Sequence, residues 1–212
     1  MSRVRVVVQC RLLSSRLPAK AMLPLGGVPA AVLCALRARN RGLDVVAAVA
    51  DGAANDVLAG AMAAHGVPVV RGDEDDVLGR FAAATADLAP EDTVVRLTGD
   101  NPVPDGDFVA ALLDAFRRHG GAYLGTHSPL DGLPYGLSAE AFTVAELRRT
   151  DAAATAAADR EHVTTAMRRR RGPGPLLTAA DLGIPDLAHL RVTMDTADDY
   201  VRLHRLFDGC DA

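Results

Sequence analysis

The chain has 212 residues, about half of them hydrophobic, and a formal net charge of -4 at pH 7. That length and composition suit one domain spanning residues 1–212, and the acidic balance excludes nonspecific nucleic-acid binding, which rests on a basic excess. The apolar run near the start is too short for a signal peptide and is broken by Arg5, and no membrane-length apolar stretch follows, so a cytoplasmic protein with no membrane partner is expected.

Taken in chain order, Val4 to Cys10 (VRVVVQC) is a continuous apolar run, the pattern of a strand buried on both faces. QCRLLSSRLPAK, residues 9 to 20, overlaps its end and carries Arg11, Arg16 and Lys20 with two serines and no acid. Lys20 is the only lysine beside 22 arginines, and its compact ammonium supplies a point charge where the arginines supply planar forks. A helix is predicted from Pro29 to Asn40, with proline in its first turn, then a strand from Asp44 to Ala50 and a helix closed by Gly66. Residues 67–72 read as a third strand and 73–89 as a helix with acids in its first turn, where they complement the helix dipole. Thr93 to Asp100 is a fourth strand, and residues 105–120 form a helix ending at Gly120. This alternation predicts a mainly parallel central sheet with helices on both faces, whose ligands bind beyond the carboxyl ends of the strands.

Two features then fall at one edge of the sheet. The basic loop leaves the first strand and TGDNP leaves the fourth, so Asp100 is expected to face Arg11, Arg16 and Lys20. A carboxylate beside a cation cluster suits Mg2+ bridging to phosphate, because magnesium takes one or two carboxylates plus phosphate oxygens. LRVTMDTADDY reads as a short strand ending in Asp195, a second candidate ligand; either aspartate alone could equally be a helix or turn cap. GxGxxG and GxxxxGK[ST] patterns are absent, so neither a dinucleotide fold nor a P-loop is indicated. Cys10, Cys34 and Cys210 lack CxxC spacing and read as reduced thiols. The run Arg168 to Arg171, followed by GPGP, reads as a solvated helix end. His127 and Tyr135 lie in a Pro/Gly-rich loop of the kind that shapes substrate pockets.

In order and spacing, Q-x-R-x-x-S-S-R-L-P-x-K, RGDEDDVLGRF, RLTGDNP, REHVT and LRVTMDTADDY resemble the SpsF-like cytidylyltransferases of spore-coat polysaccharide biosynthesis. More distantly they are similar to the synthetases of CMP-activated sugar acids such as KDO and sialic acid. The resemblance spans Val4 to about Phe207. It implies a GT-A-like, Rossmann-related nucleotidyltransferase fold, and an enzyme in which CTP donates CMP to a small anionic acceptor with release of pyrophosphate. Carried over by position, it implies that Arg11, Arg16 and Lys20 meet the triphosphate and act in catalysis, with Gln9, Ser14, Ser15, Thr98 and Gly99 alongside. Asp100 and Asp195 fall on the magnesium positions. Asp73 and Asp76 fall beside the nucleotide, and Arg80, Glu140, Glu161 and His162 toward the acceptor, to which the loop composition adds Tyr135.

Where the family pattern has small or flexible residues and a glycine, this chain has Leu12, Leu13 and Ala19, and Ser138 replaces an acid two residues before Glu140. Two other classes stay open at this stage: a nucleotide-sugar-dependent glycosyltransferase, which shares the fold, and a nucleotide-binding protein without turnover. The resemblance allows for a homodimer.

Overall fold

Valine and alanine runs without polar alternation become adjacent parallel strands because both of their faces are covered. The computed structural model describes residues 2–172 and 174–209. β1 (Val4–Cys10), β4 (Asp44–Ala50), β5 (Val69–Gly72) and β6 (Thr93–Thr98) are parallel, and β7 (Tyr123–Gly125) and β8 (Glu140–Thr143) close one side antiparallel. The order across the six-stranded sheet is β5-β4-β1-β6-β8-β7. A two-stranded hairpin, β2 (Pro24–Leu25) with β3 (Val28–Pro29), lies apart.

Alternate residues of β1 enter different cores. Val6, Val8 and Cys10 pack with α1 (Ala30–Arg39), α2 (Asp56–Ala64) and α4 (Gly106–His119), whereas Val7 packs with α3 (Val77–Ala84), α5 (Val144–Ala153) and α7 (Thr165–Arg171). Phe81 and Phe142, both fully buried, meet at 6.4 Å and join α3 to β8; each contributes roughly 1.5–3 kcal/mol by burial. The short α6 (Ala157–Glu161) precedes α7, and α8 (Ala197–Leu206) packs through Leu203 against Leu25 and Leu33 in a third cluster. Among the described residues no helix is long and apolar enough to cross a membrane.

The sheet is the expected one, with three differences from the sequence reading. The third strand begins at Val69, after Pro68, which has no N–H to give a ladder. The acids of residues 73–76 precede α3 instead of forming its first turn: Asp73 accepts hydrogen bonds from the amides of Asp75 and Asp76, and Asp76 caps the helix by accepting from the Gly79 amide at 2.8 Å. The segment before Asp195 is extended but joins no sheet, because both edges of β6 are taken by β1 and β8. It is tied down by a bridge between Arg191 and Tyr135 and by the Met194 amide, which donates to the Asp100 carbonyl at 2.8 Å.

Candidate active site

After β1 the chain builds β4 and β5 on one side of it, then returns to place β6 on the other. Such a reversal opens a crevice beyond the carboxyl ends of the two central strands, because their following loops diverge to opposite faces. Here those loops are the basic segment after β1 and TGDNP after β6. Gly99 permits their close approach: a Cβ there would lie 2.9 Å from the Cys10 Cβ and 3.2 Å from the Ala31 Cβ.

A cavity of about 330 Å³ occupies the crevice. The β1 loop contributes Gln9, Arg11, Ser14, Ser15, Arg16 and Lys20 to its walls, and the end of β6 contributes Thr98, Gly99 and Asp100. Arg80, Glu161 and His162, read from the sequence as acceptor residues, line this same cavity. His162 follows α6 and precedes Val163, a fully buried residue held at φ 52°. A β-branched side chain in that conformation is strained, so packing of Val163 fixes the path that carries His162 to the cavity wall.

The charges are tightly interlocked. Lys20 Nζ donates to Asp100 Oδ2 at 2.7 Å and to Asp195 Oδ1 at 2.9 Å. Asp195, only 4% exposed, also accepts from Arg16 at 2.8 Å and Arg191 at 3.1 Å. Burial disfavours both charges, but their mutual attraction outweighs it, holding the Lys20 ammonium above and the Asp195 carboxyl below their ordinary pKa ranges. Arg191 is aimed by Asp199, which also accepts from the Asp195 and Thr196 amides and completes a capping box with Thr196 at the start of α8. On the opposite wall Arg11 lies 3.3 Å from Glu74 and 3.9 Å from Glu161.

Arg80 is 3% exposed; its Nη1 donates to the Asp73 carbonyl, its Nε finds no partner among the described residues, and burial lowers its pKa. A buried donor left without such a partner is uncommon and marks this stretch of the wall as one whose hydrogen bonding the protein does not complete. Cys10, also on the wall, is a buried thiol pushed up to about 12, an unreactive group at neutral pH. Cys34 is buried and free as well, while Cys210 lies outside the described residues.

This donor set fits a magnesium ion. Two carboxylates from separate loops already converge on one cation, the Lys20 ammonium, and hard carboxylate oxygens supplemented by phosphate oxygens are what magnesium takes. Among the described residues no cluster of three or more His, Cys, Asp or Glu forms a cage, so such an ion would rely on phosphate and water for the rest of its shell. The crevice cations are internally paired: Arg11, Arg16 and Lys20 are each matched by Glu74, Glu161, Asp100 or Asp195. A polyanion entering here must bring a cation or break those pairs.

Other sequence-predicted residues fall elsewhere. Asp73 and Asp76 serve the turn and cap described above, and Asp76 is gripped by Arg160 through bonds of 2.7 and 2.8 Å; neither lines the cavity. The acid of that run on the wall is Glu74, which the sequence offers no means of choosing among four consecutive acids. Tyr135 lies under the Arg191 guanidinium, 4.8 Å from ring to cation, and lines neither this cavity nor its neighbour. Glu140 lines the neighbouring cavity of about 170 Å³, which shares Thr98 with the first. Ser138 lies on that second wall and accepts from the Asn101 amide at 2.9 Å.

With the fold and the crevice in place, the chain can be set beside known proteins. Residues 5–200 match the family model described as cytidylyltransferase. The Bacillus subtilis spore coat polysaccharide biosynthesis protein SpsF is 28% identical over 218 residues, covering 98% of this chain and 87% of that protein. The 3-deoxy-manno-octulosonate cytidylyltransferase of an Acidovorax species is 38% identical over 125 residues, covering 57% of this chain and 47% of its own length. A cytidylyltransferase structure from Leptospira borgpetersenii superposes with a TM-score of 0.86 at 25% identity, covering 100% of this chain and 89% of that one.

Proposed function

The chain belongs to the cytidylyltransferase family, and from that premise we propose that it is a magnesium-dependent enzyme transferring CMP from CTP to a small anionic acceptor. The acceptor is a sugar acid, a sugar phosphate or a phosphonate, and pyrophosphate is released. The observation that carries the reading is the Lys20 ammonium held between Asp100 and Asp195 at the crevice between β1 and β6. There the chain places point charge and metal-suited carboxylates together, beside Arg11 and Arg16.

In this reading an acceptor oxygen attacks the α-phosphorus of CTP, forming a P–O bond as the bond to pyrophosphate breaks. Little covalent chemistry falls to the protein, so positioning and charge neutralisation carry the rate. Magnesium held by Asp100 and Asp195 would neutralise the α-phosphate and orient it. Lys20, Arg11 and Arg16 stabilise the charge gathering on the departing pyrophosphate, with Ser14 and Ser15 as neutral donors along the loop. Arg191 and Asp199 hold the Asp195 carboxylate, which does not itself line the cavity, against the Lys20 ammonium that does. Arg80, held by the Asp73 carbonyl, adds a fixed positive charge to the cavity wall. An acceptor that is already an oxyanion needs no base; a hydroxyl acceptor would give up its proton to solvent, because the paired Asp195 carboxylate is too weak a base to take it.

The test is pyrophosphate release in the presence of magnesium, with each of the four nucleoside triphosphates against sugar acids, sugar phosphates and phosphonates. Release with CTP and one acceptor is expected. Binding of CTP without release across the panel would leave a nucleotide-binding protein, and failure to bind CTP would overturn the reading.

A further inference from the structure

The four arginines ending α7 do not share one fate. Arg169 pairs with the buried Asp159 at 2.6 Å, and Arg170 with the buried Glu146 at 2.7 Å and with Thr150. Arg171 reaches the same Glu146 at 3.8 Å. Arg168 is different: its guanidinium makes no hydrogen bond or ion pair among the described residues, and it lines the second cavity.

That cavity holds a surplus of positive charge. Its other arginine, Arg96, is fixed from two sides, by Gln9 Oε1 at 2.8 Å and by the Glu140 carboxylate. Glu140 also accepts from the hydroxyls of Tyr123 and Thr164, so its oxygens are committed within the protein. Two guanidiniums thus face one carboxylate whose bonds are taken, and Thr98, Thr126 and Ser138 add hydroxyls to the wall. At about 170 Å³ the cavity is smaller than the roughly 300–1,000 Å³ usual for a whole small ligand, and Thr98 joins it to the crevice. It therefore suits one end of a molecule whose other end reaches the first cavity. Gln9 links the two physically, lining the crevice while it holds Arg96.

We propose that Arg168 is a specificity-determining residue that takes the acceptor's own oxyanion group, a carboxylate or a phosphate, in the cavity between β6, β8 and α7. Arg96 is the fixed donor of this subsite and Arg168 the adaptable one. The assignment rests on the cytidylyltransferase reading for the identity of the first cavity's occupant, but the excess charge of the second belongs to the chain itself. It also reassigns one residue of the arginine run from solvated helix end to ligand contact.

The experiment compares the full-length chain with R168Q and R168K, each saturated with magnesium and a non-hydrolysable CTP analogue. Each is titrated calorimetrically with a 2-keto-3-deoxy sugar acid, with glucose 1-phosphate and with glucose. The expected result is that the original chain prefers one anionic probe over glucose by roughly tenfold or more, that R168Q erases the preference, and that R168K keeps part of it. Affinity for the analogue stays within about twofold in all three. Preference for the sugar acid identifies a carboxylate, and preference for glucose 1-phosphate a phosphate. No anion preference in the original chain, or a preference that survives R168Q, overturns the proposal. Failure of the analogue to bind strikes the cytidylyltransferase reading instead; the same titrations without it then decide the anion subsite by the same criterion.

Discussion

Lys20 and Asp195 lie 2.9 Å apart although 175 residues separate them in the chain. The contact joins the first loop of the sheet to the cap of α8, so the basic loop is held in place by the same acid that is read as a metal ligand. Lys20 thus ties the basic loop to both carboxylates, and its proposed role as a phosphate contact can be tested apart from that structural one.

Lys20→Ala should lower kcat by roughly 10²–10³, the loss seen when one preorganised electrostatic contact is removed. Arg16 and Arg191 still neutralise Asp195, so the variant should fold, with a modest loss of thermal stability. Pyrophosphate release and circular dichroism, measured together, check this. Near-normal turnover would remove Lys20 from the chemistry.

Asp195→Asn should separate the metal from the scaffold. Asparagine keeps an acceptor oxygen for Lys20 and Arg16 but loses the charge a divalent ion needs, so the magnesium concentration for half-maximal activity should rise by roughly tenfold or more. A titration of activity against magnesium reads it out, with chelator treatment of the unaltered chain expected to abolish turnover. An unchanged magnesium dependence in the variant would leave Asp195 as an organiser of the basic loop alone.

The parallel part of the fold was legible because it is written in uninterrupted valine and alanine runs: β1 and β4 begin and end where the apolar runs do. The pairing of Asp100 with the basic loop followed from strand ends alone, since β6 does lie beside β1. What could not be read was tertiary. Nothing in residues 73–76 tells which acid turns inward, and the cap geometry that consumes Asp76 decides in favour of Glu74. Arg168 looks like its three neighbours until their partners, Asp159 and Glu146, are seen to exclude it. Tyr135 was placed by loop composition, a signal that marks surface loops but not their direction.

Ala19 stands where the family pattern has glycine, and it adopts φ 54° and ψ 24°, the left-handed region, at the entry to the turn that presents Lys20. That conformation costs an alanine roughly 1 kcal/mol relative to glycine. Ala19→Gly should therefore stabilise the chain by about 0.5–1 kcal/mol unless the added freedom of the unfolded chain offsets it, and denaturant midpoints at constant slope measure the balance. A fall in stability would show that backbone entropy outweighs the relief of strain at this turn.

Glu140 supplies the last prediction, because it is the buried acid that fixes Arg96 between the two cavities. Burial works against its charge, yet Arg96, Tyr123 and Thr164 hold its pKa below the ordinary carboxylate value. A carboxyl depressed in the folded state contributes stability that is fully present above its unfolded pKa, about 4.3, and is lost as the pH falls through the lower folded value. Glu140→Gln leaves Arg96 without its counter-charge in a largely buried position, which should cost about 3–5 kcal/mol at neutral pH. The cost should shrink as the pH falls from the unfolded value of about 4.3 through the lower folded one, because the unfolded chain's carboxyl takes up its proton first and the stabilisation is lost by linkage. Denaturant unfolding of both proteins between neutral and acid pH reads out the difference; a penalty independent of pH would mean that the amide fails through shape and hydrogen bonding, and that the charge on Glu140 is not what holds Arg96.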